Sequence, residues 1–187
     1  MKRKHASSIL ILTGMVFSLS ACEMFEQFEH SKHIAAFEKT IETGGQVAPN
    51  VKYNGKGKAI YMKYRAKYHD AVFQPTDKYQ VPSDSIGNDW YIPSEFSAKS
   101  PKDVKYIVLI LDYYQKVGDY GIGRDGLINM HQVKVVDLYP FHILKEDFFS
   151  GTYPPQYSYE NRSQSGYPPK TEEVVAWVRS VLSDNVQ

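Results

Sequence analysis

One set of side chains in this sequence combines an acid, a phenol and an imidazole: Asp112, Tyr114 and His131. A carboxylate, a hydroxyl and an imidazole on a single surface can pass a proton between them, the chemistry of a hydrolase-like general acid–base site. For the three to meet, Asp112 and Tyr114 must share one face of a strand and a second strand must bring up His131, with Asp137 further along it. Without a pocket beside them, the same residues are the ordinary polar side of a sheet facing solvent.

Other chemistries fail on spacing. His30 and His33 are three apart, as metal ligands on a helix would be, with Glu26 as a further ligand one turn before His30, but a solvated surface pair is the simpler reading. His131 and His142 fall on strands joined at Tyr139-Pro140; a tight turn there puts His142 opposite Asp137 and His131 opposite Phe148, too far apart for one metal ion. Gly121-Ile122-Gly123 sits between two strands and lacks the helix N-terminus that a phosphate site requires. No Gly-x-Ser-x-Gly or His-Glu-x-x-His pattern occurs, and nothing calls for a metal or a cofactor.

The elements that would carry these residues are legible from periodicity. Lys58 to Tyr68 alternates, with Ile60, Met62 and Tyr64 against Tyr61, Lys63 and Arg65, and predicts a strand. Val104 to Val117 contains Tyr-Ile-Val-Leu-Ile-Leu at 106–111, apolar on both faces, as in a central strand. A glycine-rich loop, Asp119 to Gly126, leads to a strand at Leu127 to Leu138, and Tyr139-Pro140 turns it into another at Phe141 to Phe149. In this meander Ile107, Leu109 and Leu111 share an apolar face with Val136 and Leu138, opposite the face that carries Asp112 and His131.

Helices flank the strands. Ile34, Phe37 and Ile41 form a helical stripe that stops at Gly44-Gly45, and Thr171 with Glu172-Glu173 opens a helix whose Val174, Trp177, Val178 and Val181 face one side. Gln74 to Ser100 reads as a long irregular excursion with a turn of helix near Ser94 to Phe96. Strands together and helices outside them predict an α+β domain: an antiparallel sheet with a β-meander core, an N-terminal amphipathic helix and a C-terminal covering helix.

The compositional bias is aromatic, with 15 Tyr and 10 Pro. Most of them lie between Tyr53 and Pro169, and within that span the stretch Ser150 to Pro169 has Tyr153-Pro154-Pro155 and Tyr167-Pro168-Pro169 flanking Tyr157 and Tyr159. Proline fixes φ and lowers the entropy lost on binding, and tyrosine offers contact area with a hydrogen-bonding tip. Tyr153, Tyr157, Tyr159 and Tyr167 are therefore a candidate contact surface for an envelope protein or a glycan. The competing reading makes them lids that close the core.

The chain opens on Lys2, Arg3 and Lys4, then an apolar run from Ile9 to Leu19 too short to span a bilayer, then Leu19-Ser20-Ala21-Cys22. This segment resembles the signal and lipobox of bacterial membrane lipoproteins. The resemblance implies cleavage after Ala21, lipid (diacylglyceryl, and a further acyl chain such as palmitate) on Cys22, and an address on the exported side of the cell membrane or on the outer membrane. Glu23 is not the aspartate that favours inner-membrane retention in enteric bacteria, so the outer membrane stays open. Buried acyl chains contribute about 0.8 kcal/mol per methylene, so two or three hold firmly where one does not.

Cys22 is the only cysteine, and lipidation would leave no disulfide or thiolate. Three of the 22 basic residues and none of the 21 acidic ones precede Cys22, so the chain from there has 19 basic residues and a net charge of −2. That balance gives no footprint for nucleic acid. The expected organisation is a signal peptide at 1–21, a lipidated tether with a short helix and loop at 22–57, and one α+β domain at 58–187. The expected role is a membrane-anchored cell-envelope lipoprotein that binds or assembles without catalysis. Two alternatives stand beside it: an envelope hydrolase built on Asp112, Tyr114 and His131, and a structural spacer.

Overall fold

The structure is a computed structural model that describes residues 32–65, 90–121, 123–157 and 163–185. The signal and lipobox with Ala21 and Cys22, together with Glu26, His30, Tyr159 and the end of the first predicted strand, lie outside the described residues.

The chain forms an α+β architecture. Residues 32–42 make helix α1; strands β1 (Lys58–Arg65), β2 (Val104–Asp119), β3 (Asp125–Leu138), β4 (Phe141–Ser150) and β5 (Gln164–Ser165) follow, and helix α2 (Thr171–Asn185) closes the order. The sheet runs β1-β2-β3-β4, with β5 added beside β3. Among the described residues no helix is long and apolar enough to cross a membrane.

The meander β2-β3-β4 is antiparallel. The sheet as a whole is mixed, contrary to the antiparallel expectation, because β1 lies parallel to β2 and β5 parallel to β3. Alternating hydrophobicity records which face is buried and carries no direction. A parallel neighbour needs a connection of a dozen or more residues, and residues 66–103 supply one between β1 and β2.

The hairpin β2-β3 is longer than periodicity predicts, since pairing continues to Asp119↔Asp125. Its loop, residues 120–124, is closed by Tyr120 N–H donating to the Arg124 carbonyl (2.9 Å) and Arg124 N–H to that of Gly121 (2.9 Å). Gly121 and Gly123 take φ of 99° and 69°, which a side chain would resist. At the second turn His142 does face Asp137, but His131 pairs with Phe149 rather than Phe148. A bulge between Val135 and Val136 inserts one extra residue of β4 and moves the remaining register along by one.

Both faces of the sheet are buried along the apolar run of β2 and the stretch of β3 beside it, while most of β4 is exposed. Tyr106, Val108 and Ile110 of β2 and Val133 and Val135 of β3 pack under Val174, Val178, Val181 and Leu182 of α2. Each such aliphatic side chain, fully buried, contributes about 1.5–3 kcal/mol, which is why α2 holds to the sheet. On the other face Ile107, Leu109, Val136 and Leu138 meet Ile60, Met62, Phe37 and Val51. Phe37 and Val51 thus draw the stretch before β1 into the core. Where the sequence predicts a turn of helix near Ser94 the chain makes a hydrogen-bonded turn without a helix, Phe96 N–H donating to Pro93 O (2.8 Å), and Ala59 N–H and carbonyl bind the 96–98 backbone beside it.

Candidate functional site

The register of β2 against β3 places Asp112 directly opposite His131. The imidazole Nε2 lies 3.6 Å from Asp112 Oδ1, and Lys63 Nζ of β1 lies 3.5 Å from Asp112 Oδ2. Lys63 also donates a hydrogen bond to the hydroxyl of Tyr91 (3.2 Å), whose ring stands edge-on to the imidazole at 6.1 Å. Three residues, from two strands and one connecting segment, therefore gather around the Asp112 carboxylate of β2. Tyr114 is half-buried and pairs across the ladder with Asn129, two rungs from the Asp112–His131 pair.

This face is not the solvated sheet side the sequence suggests. Asp112 and His131 expose only 3% and 2% of their surfaces, because α2 and the segment at 90–93 cover the sheet over them. Burial pushes the His131 pKa below its ordinary 6.5; the Asp112 carboxylate works against this, and the Lys63 ammonium adds to it. The imidazole is held neutral near pH 7 beside a carboxylate that already serves a lysine. At 3.6 Å the Nε2–Oδ1 contact is an electrostatic approach and too long for a good hydrogen bond.

Polar groups around the cluster are imperfectly matched. Among the described residues His131 Nδ1, Asn129 Oδ1 and Trp177 Nε1 are shut away from solvent without a hydrogen bond. Asn129 and His131 lie two apart on the same face of β3, and Phe149 opposite His131 meets Trp177 edge-on at 5.9 Å. Each buried group of this kind costs about 1–3 kcal/mol. Proton transfer among Asp112, Tyr114 and His131 is sterically conceivable only for a substrate able to enter this closed layer.

The tyrosine-rich segment lies at the far end of β3. Gly151 N–H donates to Asn129 O (2.8 Å), Gly166 N–H to Leu127 O (3.2 Å) and Thr152 N–H to Tyr167 O (3.0 Å). A Cβ on Gly151 would run into the Tyr167 carbonyl, and one on Gly166 into that of Thr152, so only glycine lets the two strands of the segment approach. Tyr120 donates its hydroxyl proton to Pro155 O, and Ser163 Oγ accepts from Asp125 N–H (2.9 Å). The two Tyr-Pro-Pro motifs are thereby fastened to the β2-β3 hairpin.

Their tyrosines point outward. Tyr153, Tyr157 and Tyr167 are 77%, 68% and 80% exposed, which overturns the reading of them as lids on the core. Nothing in their spacing announced this, because packed and exposed loop tyrosines have the same sequence pattern.

His142 is exposed, with Nδ1 2.8 Å from Pro140 O, and His33 lies in α1. Among the described residues no three His, Cys, Asp or Glu side chains are placed to hold a metal ion. Lys63 and Tyr91 are the members of the Asp112 cluster that sequence reasoning missed. Lys63 carried a signal, since alternation placed it on the Tyr61 face, but only the parallel pairing with β2 turns that face toward Asp112. Tyr91 comes from an irregular stretch with no periodicity to read. No protein-family model, curated protein or solved structure matches the chain.

Proposed function

We propose that the chain is a lipid-anchored bacterial cell-envelope protein that works by contact with a protein or glycan partner rather than by catalysis. The anchor reading rests on the basic start, the short apolar run and Leu19-Ser20-Ala21-Cys22. It puts the folded part on the exported side of the cell membrane or the outer membrane. The observation that carries the contact reading is the exposure of Tyr153, Tyr157 and Tyr167 on proline-stiffened backbone hydrogen-bonded to the β2-β3 hairpin. Large rigid aromatics already held in place lose little entropy on binding. The hydrolase reading asks a substrate to reach Asp112 and His131 beneath a helix, and their burial favours a structural part for them.

Two measurements test the proposal. Cys22→Ala should abolish incorporation of a fatty-acid analogue and leave an uncleaved or soluble precursor; label that persists in the variant would remove the anchor. Tyr153, Tyr157 and Tyr167 replaced together by Ser should lose in-cell cross-links to a partner while membrane attachment continues. Cross-links unchanged in that variant would remove the contact surface, and a spacer predicts no cross-linked partner for either protein.

A further inference from the structure

Two cationic groups converge on one buried carboxylate, and only one of them is charged at neutral pH. Lys63 holds Asp112 at 3.5 Å from the partly open side, its side chain 28% exposed, while His131 stands 3.6 Å from the other oxygen inside the layer. The same Lys63 ammonium is hydrogen-bonded to Tyr91, which packs edge-on against Tyr61 (5.4 Å) and against His131 itself. Lys63 therefore fastens Tyr91 of the 90–93 segment over the side of the sheet where the imidazole lies.

We propose that this cluster is an acid-triggered exchange, in which a protonated His131 takes Asp112 from Lys63 and Lys63 in leaving releases Tyr91. The exchange is local and balanced in charge. An imidazolium needs to close by less than about 1 Å to make a charge-assisted hydrogen bond to Asp112 Oδ1. Its arrival puts two cations on one carboxylate in a poorly solvated layer, and Lys63, on a flexible stem beside solvent, is the one free to leave. His131 has no comparable exit.

Along the same face β3 adds the Asn129 amide and β2 the half-buried Tyr114 phenol, neither of which brings a carboxylate or an ammonium to His131. β2 presents Asp112, β1 presents Lys63, the 90–93 segment presents the Tyr91 phenol, and Phe149 of β4 and Trp177 of α2 bring no charge. The nearest β4 charges on this face, Asp147 and Lys145, sit opposite Val133 and Val135 and are exposed. At the location proposed above, the folded part meets the acidity of its surroundings without cytoplasmic buffering, where such a device has a stimulus.

The test is amide hydrogen exchange of the full-length lipoprotein in detergent between pH 8 and 4.5, corrected for the intrinsic pH dependence of exchange. In the wild type, protection at Tyr91 and Ile92 should fall at least tenfold on acidification, with a midpoint below 6.5, while Val174 to Leu182 of α2 keeps its protection. His131→Gln should hold Tyr91 protected throughout. Lys63→Met should start with Tyr91 weakly protected at pH 8 and change little with acid, which decides the matter even if His131→Gln does not fold. Acid loosening that persists in His131→Gln, a Lys63→Met protein as protected as the wild type, or α2 opening together with Tyr91 would each overturn the proposal.

Discussion

Two buried aspartates on either side of the central strand's apolar run are held in opposite ways. Asp103, in the single turn of 3-10 helix at Pro101–Asp103 that leads into β2, accepts hydrogen bonds from Asn54 Nδ2 (2.6 Å) and the Ser100 N–H (3.1 Å) and pairs with Lys56 (3.2 Å). Asp112, at the far side of that run in β2, has the Lys63 ammonium at 3.5 Å and the His131 imidazole at 3.6 Å, and burial holds that imidazole toward its neutral form. At Asp103 short, directed bonds from three sources outweigh the burial that would raise its pKa, and the carboxyl lies below its ordinary 3.8. The contrast separates a clasp that fixes the entry to the sheet from a charge cluster left with room to rearrange.

The largest effect should come from breaking the clasp. Asp103→Ala leaves Asn54 and the Ser100 N–H without their acceptor where loop meets sheet, and we expect a loss of about 2–4 kcal/mol in urea unfolding. Asp112→Ala should cost less, about 1–2 kcal/mol, because Lys63 can turn to water and a neutral His131 needs no counter-charge. Equal losses in the two variants would erase the distinction drawn between them.

Acid sharpens the same comparison. The His131 pKa is lowered, so below 6.5 the unfolded chain takes up a proton that the folded one refuses. Its contribution to stability is intact above pH 6.5 and is lost as pH falls from there toward the folded value. Asp103 behaves at lower pH: its contribution is present above 3.8 and is lost as pH falls through the depressed folded value. Stability measured against pH should thus decline in two steps, with His131→Gln removing the upper step and Asp103→Ala the lower. An upper step that survives in His131→Gln would assign it to another group.

The smallest effect is expected at the tyrosines. Replacing Tyr153, Tyr157 and Tyr167 by Ser should change unfolding free energy by no more than about 0.5 kcal/mol, since these side chains are mostly in solvent. A clear drop in melting temperature would show that they pack after all.

Much of the scaffold can be read without coordinates. The run at 106–111 and the proline after Tyr139 place the meander to within a few residues, and the Val174, Val178, Val181 stripe identifies the helix that covers it. Asp112 and His131 were legible as neighbours for the same reason, because a tight hairpin ties register to loop position. What periodicity could not supply was the bulge at Val135, which depends on how one extra residue is absorbed across a ladder, and the direction of β1, which depends on a long connection.

The sequence by itself determined the elements and the two apolar faces of the central strand, and it supplies the basic start, short apolar run and Leu19-Ser20-Ala21-Cys22 on which the anchor proposal rests, because each is written in local pattern or in adjacent residues. Tertiary structure alone decided that α2 and Tyr91 close over Asp112 and His131, that Lys63 joins them from a parallel strand, and that the Tyr-Pro-Pro tyrosines stay outside the core. Burial, pairing direction and the meeting of distant segments are properties of the packed chain. A polar residue's neighbours, and so its charge and its role, are set only once those distant segments arrive.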